Sequence, residues 1–101
     1  MVKRVVWSRE AAQDKIDILK YWNWRNKSKN YSKKLNKLFN DAIDLVRDYP
    51  NLGRKTDYDD YKNILVKEYL IFYLESTNEI RIIAIWDERR NPDKIKVKLK
   101  I

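Results

Sequence analysis

The side chains of this sequence that could do chemistry are cationic and aromatic. The 101 residues include no His and no Cys, which removes the usual general base near neutral pH, the thiol nucleophile and the commonest metal ligands. Lys and Arg remain, which bind phosphate and carboxylate groups, together with Tyr, which can stack on a base. The residue types therefore favour recognition of a polyanion over thiol or metal chemistry.

Three lysines recur every four residues in the second predicted helix. Lys29, Lys33 and Lys37 lie on the helix face away from Leu35 and Leu38, so they form one cationic stripe. Such a stripe is either a solvated helix face or a surface that binds a phosphate backbone or a protein partner. The salt dependence of binding would distinguish the two.

An acidic run in the middle of the chain has the proximity of calcium ligands. Asp57, Asp59 and Asp60 nevertheless lack the glycine and the distal glutamate of a calcium-binding loop. The single Gly of the chain also rules out a glycine-rich phosphate loop. We therefore expect no metal site and no cofactor, and interpret the run as a solvated loop.

Length and charge bound the protein class. At 101 residues and 12.4 kDa the chain has room for one modest core, so we expect one domain over residues 1–101. No stretch approaches the ~20 apolar residues of a membrane span, and no signal peptide is evident, so we expect a cytoplasmic protein with no membrane partner. The net charge of +8 suggests a nucleic acid, a ribosome or an acidic protein as partner, although a Lys-rich surface also keeps small proteins soluble.

The first half of the chain predicts one strand and two helices. Val2–Trp7 is short and β-branched, as strands are. Ser8 can cap a helix that runs to about Arg25, and apolar residues at 3.6-residue spacing predict a second helix over Tyr31–Tyr49, which Pro50 ends. Because the polar connection is short, the helices should form an antiparallel hairpin.

The second half predicts a loop over residues 51–60, then strands. Three runs are strand-like, namely Tyr61–Val66, Tyr69–Glu75 and Glu79–Trp86, the last two joined by the short polar segment Ser76–Asn78. Residues 94–101 alternate Lys with apolar side chains, which predicts a fourth strand at the sheet edge. The resulting order, β-α-α-β-β-β(-β), predicts an α+β fold.

Four motifs follow one another along the chain: Trp7-Ser8 before a helix with Ala11, Asp14, Ile18 and Tyr21-Trp22, the loop Tyr49–Arg54, Leu65-Val66 with Tyr69–Tyr73, and Ile85–Pro92. In the order and spacing of these motifs the chain, from Val2 to about Pro92, resembles the RelE/ParE superfamily of type II toxin–antitoxin toxins. The resemblance implies a small curved antiparallel sheet with a helical hairpin packed on one face. It also implies a growth inhibitor that a cognate antitoxin neutralises, with a toxin–antitoxin hetero-oligomer as a possible assembly.

Two targets occur in this superfamily. RelE-like members cut mRNA in the ribosome, and ParE-like members poison DNA gyrase. The resemblance implies that Lys62 matches one basic position of the nucleases and that either Arg89 or Arg90 matches another. Arg81 would join Lys62 in an anion site if both faced the concave side. These four residues are the catalytic candidates if the chain is an endoribonuclease.

Two departures from the nuclease pattern slightly favour ParE-like gyrase inhibition. Leu70 replaces a usual Arg, and Asp87 stands where many nucleases have His or Lys, so the question of enzyme or binding inhibitor stays open. Each has a structural alternative: Leu70 as core, and Asp87 as a partner of Arg89 or Arg90 or as a turn cap. The candidate binding residues, for target or antitoxin, are Lys67, Asp87, Tyr61, Lys33 and Lys37, while Tyr69 and Tyr73 are expected in the core.

Overall fold

The computed structural model describes residues 3–99. The elements are β1 (Arg4–Trp7), α1 (Arg9–Asn26), α2 (Asn30–Asp48), β2 (Arg54–Lys55), β3 (Lys62–Val66), β4 (Tyr69–Glu75), β5 (Glu79–Asp87) and α3 (Ile95–Leu99), with 3₁₀ turns at Pro50–Leu52 and Pro92–Lys94. This order confirms the α+β class. Val2, Lys100 and Ile101, which the strand predictions included, lie outside the described residues. None of the described helices is both long and apolar enough to cross a membrane.

The strands form one mixed sheet in the order β1-β5-β4-β3-β2. Strands β2 to β5 pair antiparallel, as expected, whereas β1 runs parallel to β5. The expectation of a purely antiparallel sheet is therefore wrong at β1. No tight turn sets the direction of this strand, because its neighbour lies near the other end of the chain.

The two long helices form the predicted antiparallel hairpin. Ser8 caps α1 by accepting a hydrogen bond from the Ala11 amide at 3.0 Å. Near the end of α1, Trp22 meets Tyr31 at the start of α2 edge-on, with ring centroids 4.8 Å apart. The hairpin packs on one face of the sheet, called here the hairpin face, and buries Leu35, Phe39, Ile43 and Val46 against Tyr69, Ile71, Tyr73, Ile80 and Ile82.

The tail is a helix rather than the predicted edge strand. Ile95 and Leu99 are buried on one side of α3, and they pack on Phe72 and Trp86. Val97, by contrast, is 78% exposed. Alternation of period two also places residues i and i+4 on one helix face, so the sequence pattern fitted both structures. Helix α3 covers the second face of the sheet, called here the tail face.

The predicted loop over residues 51–60 contains the short strand β2, which pairs with β3. A buried tyrosine ties the start of this loop to the sheet. The Tyr73 hydroxyl donates a hydrogen bond to the Pro50 carbonyl at 2.7 Å and accepts one from the Gly53 amide at 3.0 Å. Tyr69 and Tyr73 are 3% and 1% exposed, which confirms them as core residues.

Candidate functional site

Lys62 and Arg81 lie on opposite faces of the sheet. Lys62 is in register with Tyr73, and Tyr73 with Ile82, so all three point to the hairpin face. Arg81 precedes Ile82 on β5, and strand alternation therefore places it on the tail face. The condition under which Arg81 would join Lys62 in one anion site, that both side chains face the same side of the sheet, is therefore not met.

Both of these cations already have acceptors within the fold. The Lys62 ammonium lies 3.0 Å from the Asn51 amide oxygen and 3.5 Å from a Glu75 carboxylate oxygen. A terminal nitrogen of Arg81 lies 2.9 Å from a Glu79 carboxylate oxygen. Lys62 and Arg81 therefore each take part in an ion pair within the fold, although the Arg81 side chain is also 46% exposed.

Arg89 and Asp87 form a closed pair at the end of β5. One Asp87 carboxylate oxygen accepts from the Arg89 backbone amide at 2.9 Å and from its Nε at 3.0 Å, and the other lies 2.7 Å from Nη2. The alternative in which Asp87 pairs with Arg89 and caps the turn is thereby confirmed. The neighbouring Arg90 guanidinium lies over the Trp86 ring, 4.9 Å from its centroid.

This pair is distant from Lys62 along the sheet. Asp87 is in register with Tyr69, and Lys62 with Tyr73. Four residues along β4 correspond to roughly 13 Å at about 3.3 Å per residue. The four catalytic candidates therefore occupy three separate places, with only Arg89 and Arg90 adjacent.

Arg89 lowers the pKa of Asp87, chiefly through the side-chain hydrogen bond, while burial of the carboxyl opposes the effect. The same bond raises the pKa of Arg89. Asp87 is consequently ionised at neutral pH, and a carboxylate at this position repels a phosphate. Burial raises the pKa of Tyr69, so its hydroxyl stays protonated and cannot serve as a base at neutral pH.

Replacing Asp87 with Asn should remove a pH-dependent part of the stability. Because the folded pKa is lowered, Asp87 stabilises the fold above its unfolded pKa of about 3.9, and this contribution disappears as pH falls through the lower folded pKa. In urea unfolding, the gap between native and Asp87→Asn should be constant above about pH 5 and shrink below about pH 4. Arg89→Gln should behave alike, and a gap independent of pH would contradict the ion pair.

Two of the candidate binding residues, Lys67 and Tyr61, differ in how accessible they are to a partner. Lys67 is exposed in the tight turn between β3 and β4, with a left-handed backbone φ of 57°. Tyr61 is half-buried against the tail-face cluster, and its hydroxyl donates to the Leu99 carbonyl at 3.4 Å. The Tyr61 ring therefore packs within the protein, whereas the Lys67 ammonium is accessible to a partner.

The remaining candidates lie on the outer surface of α2. Lys33 is exposed, and Lys37 is exposed while its ammonium lies 2.8 Å from a carboxylate oxygen of Asp41. An exposed pair one helical turn apart contributes little to stability. Both lysines are therefore available to a partner without cost to the fold.

Both faces of the sheet centre are covered. The hairpin covers one face, and on the other Leu70 is half-buried against a cluster that includes Phe72, Ala84 and Trp86 beneath α3. Leu70 is therefore a packing residue, as the structural alternative proposed. Where the nucleases of the superfamily usually have an Arg, this chain therefore has a leucine that packs on apolar neighbours.

Sequence reasoning assigned no partner to one partly buried carboxylate, that of Asp14. Asp14 has a side chain that is 12% exposed, accepts a hydrogen bond from the Ile85 amide at 3.0 Å, and pairs with Lys98 of α3. Asp14 thereby links α1 to β5 and to α3, beside the part of β5 that extends beyond its pairing with β1. Its position between Ala11 and Ile18, on the inward face of α1, was the available signal, because a charge on an apolar stripe needs a partner.

Comparison with known proteins gives one family and one similar fold. Residues 5–92 match the family described as "ParE toxin of type II toxin-antitoxin system, parDE". A solved chain from "Chromosomal ParDE TA system from P. aeruginosa" superposes with a TM-score of 0.69 at 15% identity, covering 83% of this chain and 94% of that chain. No curated protein sequence matches the chain. At 15% identity, this structural match shows a similar fold and nothing further.

Proposed function

Because the chain belongs to the ParE toxin family of type II toxin–antitoxin systems, we propose that it stops growth by inhibiting DNA gyrase and breaks no covalent bond itself. The observation that carries this proposal is the separation of its cationic side chains. Lys62 and Arg81 lie on opposite faces of the sheet, and each is ion-paired. On this proposal the protein inhibits gyrase by binding to it, without catalysing a reaction.

The same observation weighs against ribosome-dependent mRNA cleavage. That reaction needs a base at the 2′-hydroxyl, an acid at the leaving oxygen and cations around one phosphate. Leu70 supplies none of these, and Asp87 adds a negative charge beside Arg89. The cations would have to converge over roughly 13 Å of sheet before a phosphate could meet them all.

A cognate antitoxin is the partner that the family implies. We place one contact of this partner on the stripe of α2 that includes Lys33 and Lys37, both exposed. An acidic antitoxin would complement the net charge of +8, giving a hetero-oligomer whose affinity falls as salt rises. The toxin would act in the cytoplasm, where both gyrase and newly synthesised antitoxin are found.

The test is gyrase-catalysed supercoiling of a relaxed plasmid with ATP, with the purified chain added in steps. We expect loss of the supercoiled product at micromolar concentration, together with accumulation of cleaved linear DNA. In a translating extract, primer extension should show intact mRNA at the same concentration. Unchanged supercoiling with mRNA cut inside the ribosome would establish the endoribonuclease instead.

The net charge of +8 makes one control essential. A basic protein binds DNA without sequence preference and could hinder any enzyme that acts on it. Relaxation of the same plasmid by a type I topoisomerase, in the same salt, should therefore be unaffected. If both enzymes slow together, the chain coats DNA and the gyrase proposal fails.

A further inference from the structure

The end of the helical hairpin carries most of the net charge of the protein. Residues 18–40 contain seven Lys or Arg and no Asp or Glu, whereas the rest of the chain has 16 basic and 15 acidic residues. This segment comprises the end of α1, the connection between the helices and the first half of α2. Such a concentration of positive charge attracts a polyanion.

Most of these charges are not neutralised within the fold. Of the seven cations, Lys37 is paired with Asp41. Within residues 3–99, no carboxylate oxygen lies within the 4.0 Å of an ion pair from the other six, which are Lys20, Arg25, Lys27, Lys29, Lys33 and Lys34. Their charge is therefore available to a ligand.

Two acidic residues border the segment, and both have partners. Asp17 lies three residues before Lys20 on α1 and accepts a hydrogen bond from Gln13 at 2.8 Å. From the sheet side, the Glu68 carboxylate is near Tyr31 at the start of α2, and it lies 3.8 Å from an Arg89 nitrogen. The segment therefore keeps its excess of positive charge.

An exposed indole lies among these cations. The Trp24 side chain is 75% exposed, more than any other aromatic side chain within residues 3–99. Lys20 lies about one turn before it, and Lys27 about one turn after it, at the C-cap of α1. These two lysines and Lys29, all exposed, form with Trp24 what is called here the Trp24 patch. The neighbouring Tyr21 ring is tilted by 45° at 6.2 Å, so it does not stack on the indole.

The surroundings of Trp24 favour a single nucleic acid strand over a membrane surface. A helix that lies on a membrane needs a continuous apolar face, but Ile18, Leu19 and Trp22 of α1 pack against the core. An exposed aromatic ring among cations binds a single strand, because a base stacks on the ring while phosphates pair with the cations. A duplex keeps its base faces stacked and offers this patch only its phosphates.

We propose that the Trp24 patch binds single-stranded nucleic acid. One base stacks on Trp24, and the phosphates on either side pair with Lys20, Lys27 and Lys29. The antitoxin contact proposed above involves Lys33 and Lys37, further along α2. This inference does not rest on the gyrase proposal, and its test contains no gyrase, so either can fail alone. The topoisomerase control also keeps its meaning, because a relaxed plasmid offers no unpaired bases.

The test is fluorescence anisotropy of a labelled oligothymidine of about 12 nucleotides, titrated with the full chain. Trp24→Ala should weaken binding about tenfold because the stacked base is lost, and Trp24→Phe, which keeps a ring, should stay within about threefold. Tyr49→Ala is the matched control, since it removes an aromatic side chain that is 64% exposed at the other end of α2. It should leave affinity within about twofold. The same strand annealed to its complement should bind without dependence on Trp24.

The dependence of affinity on salt tests the phosphate contacts. Lys27→Gln should reduce the slope of log affinity against log salt by about 0.7, the value for one phosphate contact on a single strand. Lys96→Gln removes an exposed lysine from α3 instead, and should leave the slope unchanged.

Four outcomes would overturn the proposal. The native chain could fail to bind oligothymidine, or Trp24→Ala could bind it as the native chain does. Lys96→Gln could reduce the slope as much as Lys27→Gln, which would mean that net charge alone attracts the strand. A polyglutamate peptide could bind more tightly with the same dependence on Trp24, which would assign the patch to a protein partner. Circular dichroism checks that each variant folds, and Lys27→Gln against Lys96→Gln decides if Trp24→Ala does not.

Discussion

Replacing Gly53 with Ala is expected to lower the free energy of unfolding by about 3 kcal/mol, at the upper end of what overpacking a core costs. A Cβ on this residue would lie 2.2 Å from the Tyr73 hydroxyl oxygen and 2.7 Å from Cε1 of the same ring. The ring is buried and cannot move away without breaking its hydrogen bonds to Pro50 and Gly53. Backbone conformation is not the reason, because the φ of Gly53 is −70°.

Thermal unfolding checks this expectation. A loss of about 3 kcal/mol corresponds to a fall in Tm of roughly 12–24 °C for a domain of this size. Thr77→Ala, in the exposed β4–β5 turn, is the control and should stay within about 0.5 kcal/mol. Tyr73→Phe removes the nearest clashing atom, so Gly53→Ala should cost less in that background. Equal costs in both backgrounds would show that the clash with the hydroxyl is not the cause.

The elements that the sequence predicted well are those whose pattern has one interpretation. In α2, buried residues at 3.6-residue spacing end at Pro50, and only a helix satisfies that pattern. In the tail, the alternation of Ile95, Val97 and Leu99 fits a strand. The spacing of four residues between Ile95 and Leu99 fits a helix equally well. Packing on Phe72 and Trp86 decided between them. Phe72 and Trp86 lie at least 9 residues before Ile95 in the chain, so the local sequence pattern does not report this packing.

The candidate site was less predictable, because its geometry depends on a bulge. Strict alternation along β5 would place Arg81 and Asp87 on the same face. The register shift between β4 and β5 opposes Tyr73 to Ile82 but Phe72 to Ala84, leaving one extra residue on β5. Everything beyond it changes face, so Asp87 lies with Tyr69 on the hairpin side.

The ion pairs are a feature of the four catalytic candidates that residue type alone does not report. Of the four cations that matched or adjoined nuclease positions, three have carboxylate partners, namely Lys62 with Glu75, Arg81 with Glu79, and Arg89 with Asp87. A sequence shows that such a residue is present, but not that its charge is already satisfied. Arg90 is the exception, and its guanidinium lies over the Trp86 ring.

Replacing Asp14 with Ala should cost about 2–4 kcal/mol of stability, because it leaves the Ile85 amide without an acceptor and removes the partner of Lys98. The Ile85 side chain is buried, but Asp14 and Ile85 also line a pocket that is open to solvent, so water that binds the freed amide brings the cost toward the lower figure. Urea unfolding measures the total effect. Hydrogen exchange at the Ile85 amide locates it, and should accelerate more than exchange at the β4–β5 pairs.

The two functions of Asp14 can be separated by matched variants. Asp14→Asn keeps an oxygen for the Ile85 amide but loses the charge, and Lys98→Gln loses the ion pair alone, so each should cost about 1 kcal/mol or less. Asp17→Ala removes an exposed carboxylate from the same helix and should change stability by less than about 0.5 kcal/mol. If Asp14→Ala costs no more than Lys98→Gln, the amide contact contributes nothing. Asp14 would then anchor only the tail, and the open edge of β5 beyond β1 would need no acceptor from α1.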